Sequence, residues 1–139
     1  MSTIIPPSPL PEYVYKIIPT PPPSPIPTPY PLSPLDQQDG FVHLSTAKQI
    51  PTTASLFFTT TPTLTILKLR LSNFDPASVK WDEVPGTNGC PHLYGNFGGG
   101  DVVGWKTFQR ESKSEGQDGE VKSWKEVFEE EERGEGFLE

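Results

Sequence analysis

The two histidines of this chain are the residues best placed to do chemistry, and each lies in a short, distinctive segment. Residues 40–46 read Gly-Phe-Val-His-Leu-Ser-Thr, and residues 90–97 read Cys-Pro-His-Leu-Tyr-Gly-Asn-Phe. Both histidines have apolar and small neighbours, which is unusual for a solvated surface imidazole. A buried imidazole needs a hydrogen-bond partner, because an unsatisfied one costs stability. We therefore predict a shared polar site that contains His43 and His92.

His43 and Ser45 are two residues apart in a segment with strand character. In an extended strand their side chains share a face, about 6.5–7 Å apart along it. That separation is too long for a direct Ser–His pair, and the chain has no Gly-x-Ser-x-Gly sequence. The spacing suits two groups that hold one ligand. The alternative is a core histidine with a satisfied ring, beside a serine or Thr46 that caps a helical turn.

His92 and Tyr94 repeat this spacing. A tyrosine can stack on a flat ring and donate a hydrogen bond from its hydroxyl. The following Gly95 would let a ligand or another backbone approach closely. The alternative is a turn that is anchored by one aromatic side chain.

Asp82 and Glu83 lie near the end of a predicted strand. Neighbouring residues of a strand point to opposite sides, so only one of the two can enter the site. A carboxylate there could stabilise a cationic transition state or bind a ribose hydroxyl. The alternative is a solvated strand end.

A metal site is not expected. His43, His92, Cys90 and an acid could surround zinc, but no two ligands have the close spacing of familiar zinc sites. Cys90 as a nucleophile would need an activating partner, and a proline separates it from His92.

The composition indicates one domain with appendages in 139 residues. The net charge is −7, and residues 112–139 hold 10 acidic and 4 basic side chains, so the body is nearly neutral. This argues against a basic nucleic-acid-binding surface. A neutral body could still hold a small nucleotide.

The cellular compartment is predicted from three features. Cys90 is the only cysteine, which excludes an intrachain disulfide and fits a reducing compartment. The first residues lack the basic start and apolar run of a signal peptide. No apolar stretch approaches the roughly 18 residues that span a bilayer. We expect a soluble, cytoplasmic protein with no membrane partner.

The predicted elements form an α+β domain at residues 12–111, between a proline-rich arm (1–11) and an acidic tail (112–139). β-branched and aromatic residues predict a strand at 13–18, and alternating hydrophobicity predicts one at 64–71. Further strands are predicted at 41–45, 79–84 and 102–108, with an extended segment at 92–94. Nine prolines in residues 19–34 predict an extended crossover; a ligand for a proline-recognising domain is the alternative. A helix should restart with Pro51 in its first turn. The tail is either disordered or part helical, docked through Trp124 and Phe128; its partner is not indicated.

Four segments, taken together, resemble the domain of unknown function 952 family. They are residues 15–17, 39–46 with Gln49, 80–83 and 91–95, in the family's order and approximate spacing, and the resemblance covers about residues 12–110. It implies a curved, mainly antiparallel split β-sheet with few short helices, similar to ADP-ribosyltransferases and RNA 2′-phosphotransferases. In that superfamily NAD⁺ lies in a cleft between two half-sheets.

The resemblance also implies roles for site residues. His43 would bind the ribose or phosphate, Ser45 and Tyr94 would position the base, and His92 would be a second polar contact or a general acid–base. Asp82 or Glu83 would stabilise an oxocarbenium-like centre.

Three further residues of the matched segments, Lys16, Thr46 and Gly95, are predicted to contact the ligand.

Two departures from the family pattern affect these expectations. The family commonly has Trp-Glu where this chain has Trp81-Asp82 followed by Glu83, which leaves open the acid that takes the family position. Bacterial members place a helix between the first two strands, and we expect residues 19–34 to replace it here.

The leading functional hypothesis is binding of NAD or a related nucleotide in a His-containing cleft, with ADP-ribosyl or phosphoryl-ribose transfer as the activity. The alternatives are a non-catalytic nucleotide- or peptide-binding module and a structural interaction domain. On the leading hypothesis, His43→Ala abolishes binding with a modest loss of stability.

Overall fold

The computed structural model describes residues 10–57, 62–83 and 89–109, together with Trp124, Val127 and Phe128. The regular elements of this part are β1 (Tyr13–Ile18), α1 (Pro34–Asp39), β2 (Val42–His43), α2 (Ile50–Phe57), β3 (Thr63–Arg70), β4 (Val79–Asp82), β5 (Cys90–Leu93) and β6 (Val102–Gln109). Short 3₁₀ turns lie at Ala47–Gln49, Leu71–Asn73, Pro76–Ser78 and Gly99–Asp101. None of the helices in the described part is both long and apolar enough to cross a bilayer.

The strands form two antiparallel sheets of three strands each, in the orders β1-β3-β6 and β2-β5-β4. An isolated bridge connects β1 to the chain just after β2: the Tyr15 N–H donates to the Ser45 carbonyl at 2.8 Å, and the Ser45 N–H donates to the Tyr15 carbonyl at 2.9 Å. The predicted α+β class, with a split and mainly antiparallel sheet and few short helices, is confirmed.

Strand β1 lies between two hydrophobic clusters, because its successive side chains point to opposite sides. Val14 and Ile18 enter the first cluster, and Tyr15 and Ile17 enter the second. Lys16 lies on the side of Val14 and Ile18 and is buried as well. A charged side chain in this strand therefore needs a buried partner.

A helix stands between the first two strands, so the expectation that residues 19–34 replace it is wrong. Ser33 caps α1 by accepting the Asp36 N–H at 3.1 Å, and Pro34 occupies the first turn, where its missing N–H costs nothing. Gly40 ends the helix at φ +81°, in the left-handed region that favours glycine. Residues 19–33 contain no helix or strand, as predicted for the crossover.

The predicted strand at 41–45 is too long, because β2 comprises only Val42 and His43. The chain leaves the second sheet after His43, and Ser45 pairs with Tyr15 of the first sheet. Strand β5 runs from Cys90 to Leu93 and not from 92 to 94. Strand β4 ends at Asp82; the predicted end at residue 84 lies outside the described residues.

The helix restart after β2 is confirmed. Thr46 precedes the 3₁₀ turn Ala47–Gln49, and its N–H donates to Oε1 of Gln49 at 3.0 Å. Helix α2 then begins at Ile50, with Pro51 in its first turn.

Two residues of the acidic tail belong to the core of the described structure. Trp124 and Phe128 are buried in the second cluster, and the Phe128 ring lies 4.8 Å from that of Phe108. Docking through Trp124 and Phe128, one of the two alternatives for the tail, therefore holds at these residues. The arm at 1–9 and most of the tail lie outside the described residues.

The proline-rich crossover packs against the glycine-rich loop. Tyr30 stacks on Phe97 at 4.9 Å, and the Gly99 N–H donates to the Pro27 carbonyl at 3.1 Å. A Cβ added at Gly99 would lie 2.5 Å from the carbonyl oxygen of Ile26. Glycine at this position thus permits the close contact that holds the crossover in place.

We predict that Gly99→Ala destabilises the protein and that Gly100→Ala does not. A methyl group at Gly99 meets backbone, which cannot move aside easily, and such overpacking costs about 1–3 kcal/mol. At Gly100, in the same turn, an added Cβ meets nothing within 4 Å. Thermal unfolding of both variants measures the difference, and equal melting temperatures would contradict the close contact.

Candidate functional site

Residues from both sheets line a cavity of about 450 Å³. Strand β1 and the residue after it contribute Lys16, Ile17, Ile18 and Pro19; the start of α1 contributes Ser33, Pro34 and Leu35; β2 and the following residues contribute His43, Leu44 and Ser45; α2 contributes Thr53, and β5 contributes Cys90 and His92. Most of this wall is apolar, and its polar groups come from separate elements. The cavity therefore depends on the tertiary arrangement and not on one local motif.

The carboxylate of Asp36 connects three of these elements. Its Oδ2 accepts from Nζ of Lys16 at 2.7 Å. Its Oδ1 lies 2.6 Å from Nδ1 of His43 and accepts the His43 backbone N–H at 3.2 Å. Asp36 is 2% exposed. These contacts explain how Lys16 can be buried in β1. They also hold α1 against β1 and β2.

The buried pair of Asp36 and Lys16 is ionised. Burial raises the pKa of Asp36, but the hydrogen bonds from His43 and Lys16 outweigh burial and lower that pKa to about 2. Burial lowers the pKa of Lys16, and the Asp36 carboxylate opposes this effect. A carboxyl group with a pKa near 2 is charged at every physiological pH.

Both ring nitrogens of His43 contact carboxylates. Nδ1 faces Asp36. Nε2 lies 2.9 Å from Oδ2 of Asp39, which is about one helical turn after Asp36 on α1. Only a ring that is protonated at both nitrogens can donate to both oxygens. A ligand can reach Nε2 only by displacing Asp39, which is part-exposed. The expectation that His43→Ala costs little stability is therefore revised, since that change removes a partner of buried Asp36.

His92 has one nitrogen engaged and one open to the cavity. Its Nδ1 lies 2.8 Å from Oδ2 of Asp82, which also accepts the Tyr94 hydroxyl at 2.9 Å. Nε2 forms no hydrogen bond with any described residue. His92 is among the residues that line the cavity, so its second nitrogen is the ring atom available to a ligand there.

His92 is a neutral ring at pH 7. Burial lowers its pKa below the ordinary 6.5, while the hydrogen bond with Asp82 opposes the shift. In the neutral ring, Nδ1–H donates to the carboxylate and Nε2 presents a lone pair. The arrangement can accept a hydrogen bond from a ligand or take a proton as a general base.

The ring of Phe41 fixes the two imidazoles relative to each other. It stacks on His92 at 4.2 Å and lies 4.6 Å from the ring of His43 and 5.0 Å from that of Tyr94. The two histidine rings meet edge to face at 5.2 Å. The structure thus brings the two histidine motifs together.

The predicted site residues fall into three groups. Four line the cavity: Lys16, His43, Ser45 and His92. Asp82 and Tyr94 hold His92 from outside it, so Asp82 is the acid that contacts the site. Thr46, Glu83 and Gly95 are not among the described residues of the wall.

The three residues outside the wall have other surroundings. Thr46 caps a 3₁₀ turn, and Glu83 is exposed just after β4. A Cβ added at Gly95 would meet nothing within 4 Å, so no close approach in this structure requires glycine there.

Sequence reasoning missed several residues of the site. Asp36 and Asp39 are the most important, and Thr53 is another. The sequence suggests Cys90 only as a metal ligand or a nucleophile, and here it is part of the cavity wall. The Oγ of Ser45 lies 3.4 Å from that of Thr53 at the cavity wall. The sequence Ser33-Pro34-Leu35-Asp36 is a helix-start signal, and a helix there places Asp36 and Asp39 on one face. Recognising that signal would have found both acids.

Within the described residues, no group of three or more His, Cys, Asp or Glu side chains is arranged to hold a metal ion. The acids near the two imidazoles instead orient the rings through their nitrogens.

The fold and the site define a small α+β protein with a largely apolar cavity between two antiparallel sheets. Two imidazoles, each in contact with a carboxylate, are part of the cavity wall. The chain belongs to the family described as "Protein of unknown function (DUF952)", whose sequence profile matches residues 27–105.

Two solved structures of protein CC0527 from Caulobacter crescentus are similar to this chain. The crystal structure shares 22% identity with a TM-score of 0.53, over 79% of this chain and 93% of that one. The solution NMR structure shares 23% identity with a TM-score of 0.54, over 72% and 87%. Likeness at this identity concerns the fold alone. No curated protein matches the chain.

We predict that Asp36→Asn strongly destabilises the protein and that Asp39→Asn does so weakly. The first change leaves a buried lysine without its countercharge, and breaking a buried ion pair costs about 3–5 kcal/mol. The second change removes a part-exposed contact, worth about 1 kcal/mol or less. Urea unfolding at neutral pH compares the two variants, and equal losses would show that Asp36 is not the central contact.

We also predict that His92 makes stability fall as the solution is acidified. Because the folded-state pKa of His92 is lowered from 6.5, the unfolded chain takes up its proton at a higher pH than the folded one. The stabilisation that comes from neutral His92 is complete above about pH 6.5, the pKa in the unfolded chain. It is lost as the pH falls through the lower pKa of His92 in the folded protein. His92→Phe, which keeps a ring beside Phe41, should show a shallower decline in melting temperature. Identical slopes would contradict a neutral His92.

Proposed function

We propose that this protein binds NAD or a related nucleotide, with the base and ribose in the cavity between the two sheets. The proposal depends on one observation: polar groups from several elements converge on a largely apolar cavity of about 450 Å³. Small-molecule sites typically have volumes of roughly 300–1,000 Å³, apolar walls and a few orienting polar groups.

The wall offers a separate environment for each part of a nucleoside. Ile17, Ile18 and Leu44 provide apolar surface for a flat base. The hydroxyls of Ser45 and Thr53 can hydrogen-bond the polar edge of the base. Nε2 of His92 can accept a hydrogen bond from a ribose hydroxyl.

The family resemblance of the sequence implies an ADP-ribosyltransferase-like fold, and this analogy suggests the same location. In that superfamily NAD⁺ lies between two half-sheets, and the cavity here is lined by β1 of one sheet and by β2 and β5 of the other. Fold-level analogy suggests where a ligand lies, and the residues of the site must supply the chemistry.

The catalytic form of the proposal is ADP-ribosyl or phosphoryl-ribose transfer with His92 as the general base. Asp82 orients the ring through Nδ1, as the buried acid of a catalytic triad orients its histidine. Nε2 would then take the proton of an acceptor hydroxyl. In ADP-ribosyl transfer the hydroxyl oxygen bonds to C1′ of the ribose as the C1′–N bond breaks and neutral nicotinamide leaves. In phosphoryl-ribose transfer the oxygen bonds to phosphorus as the P–O bond to the donor breaks, and the donor oxygen leaves with the proton that His92 returns.

A non-catalytic nucleotide-binding module is the second candidate, and one observation favours it. None of the described residues that line the cavity is a carboxylate. Asp36 and Asp82 lie outside the wall. Their carboxylates contact wall residues from behind: Asp36 contacts Lys16 and His43, and Asp82 contacts His92. Stabilising an oxocarbenium-like centre requires a negative group close to the sugar, so this arrangement is better suited to binding than to turnover.

We predict that NAD⁺ or a fragment of it stabilises the wild type clearly more than it stabilises His92→Phe. A ligand at 100 times its dissociation constant adds about 2.7 kcal/mol, which raises the melting temperature of a domain this size by roughly 10 °C or more. The thermal-shift screen uses NAD⁺, ADP-ribose, nicotinamide and 2′-phosphorylated nucleotides. Trp105→Phe, an exposed change outside the cavity wall, is the matched control.

The same samples separate the two candidate functions. Release of nicotinamide or transfer of a ribosyl or phosphoryl group, lost in folded His92→Phe, supports the transferase. A stabilising shift without product supports the binding module. Absence of a shift with every nucleotide, or an equal shift in His92→Phe, would refute nucleotide binding at this cavity.

A further inference from the structure

The positive groups at the cavity wall are already paired with carboxylates. Among the described lining residues, the basic side chains are Lys16, His43 and His92. Lys16 contacts Asp36 at 2.7 Å, and His43 lies between Asp36 at 2.6 Å and Asp39 at 2.9 Å. An anion entering the cavity would have to compete with these carboxylates for both groups.

The third basic side chain of the wall, His92, is also unsuited to an anion. His92 donates through Nδ1 to Asp82, which leaves a lone pair at Nε2. A lone pair attracts a hydroxyl or N–H donor and repels an ionised phosphate oxygen.

The start of α1 does not provide an anion site either. Pro34 has no N–H, and the N–H of Asp36 donates to Oγ of Ser33 at 3.1 Å. The Gln37 N–H donates to the Ser33 carbonyl at 2.9 Å. Most of the N–H groups that could cradle a phosphate at this end are therefore absent or engaged.

Carboxylates outnumber ammonium groups near the polar groups of the wall. Three carboxylates, those of Asp36, Asp39 and Asp82, contact these groups. The nearby ammonium groups are that of Lys16 and that of Lys80, which lies 4.8 Å from the centre of the Tyr94 ring. Charge interactions are stronger beside apolar walls than in bulk water. This balance favours a neutral or positively charged group in the cavity.

We infer that the part of the ligand that enters the cavity is a ribonucleoside with a neutral or cationic base. This ribonucleoside donates a hydrogen bond to Nε2 of His92. The phosphates of the ligand remain outside the cavity. This inference rests on the proposed function and names the recognised portion. An oxidised nicotinamide nucleoside has the required chemistry, because its pyridinium ring is flat and cationic and its ribose carries hydroxyl donors.

Calorimetric titration of the full chain tests this inference with four probes: nicotinamide riboside, its 5′-phosphate, NAD⁺ and inorganic pyrophosphate. We expect the riboside to bind within about threefold of NAD⁺, a difference well below 1.4 kcal/mol. We expect no binding of pyrophosphate. We also expect little change of NAD⁺ affinity with added salt, because added salt would weaken binding only if the phosphates were paired with cationic side chains.

The outcomes distinguish the two proposals. Binding of NAD⁺ and of the 5′-phosphate at least about 100-fold tighter than the riboside would overturn this inference and leave nucleotide binding intact. Failure of all four probes to bind would remove the support for both. Riboside binding as tight as that of NAD⁺ supports both.

Substitutions at Asp39 and His92 test which residues make the cavity prefer a nucleoside over its phosphate. Asp39→Asn removes a carboxylate from Nε2 of His43, so it should raise the affinity for the 5′-phosphate relative to the riboside. His92→Phe should weaken riboside binding by about tenfold through loss of the acceptor, whereas His92→Gln, which offers an acceptor oxygen, should retain part of it. An unchanged phosphate-to-riboside ratio in Asp39→Asn, or equal riboside binding in both His92 variants, would contradict the inference.

Discussion

The hydrogen-bonded carboxylate of Asp36 is the contact on which the rest of the site depends. It is buried between β1, α1 and β2 and contacts both Lys16 and His43. A buried charge is tolerated only when its partners replace the lost water, and three short contacts do so here. The same contacts hold the first turn of α1 at the cavity, so the shape of the cavity and the ionisation of Asp36 are linked.

The sequence predicts the fold best where the signal is local. Residue composition identifies β1, alternating hydrophobicity identifies β3, and the two histidine motifs identify the residues that meet at the site. It predicts α1 poorly, because six residues after a proline-rich segment show almost no helical periodicity and the helix is defined by its caps. The end of β2 cannot be predicted from the local sequence either. Ser45 pairs with Tyr15, which is distant in the sequence and belongs to the other sheet.

The two histidines look alike in sequence and differ in the structure. Each has an apolar neighbour on both sides in similar motifs, yet His43 contacts carboxylates through both nitrogens and His92 through one. The difference comes from α1, which supplies Asp36 and Asp39 to His43. No local pattern around the histidines contains this information, so roles carried over by motif alone cannot separate a fixed ring from an open one.

The arrangement of charge then limits the chemistry that the cavity can perform. Acids that orient imidazoles from outside the wall make Nε2 of His92 a better acceptor, but they do not approach a sugar inside the cavity. Phe41 packs against both rings, which also contact each other edge to face. A ligand must therefore adapt to a preformed wall with one open acceptor and negative surroundings. Such a wall selects a hydroxyl-bearing, non-anionic group before any bond is broken, so recognition and turnover can be measured as separate properties.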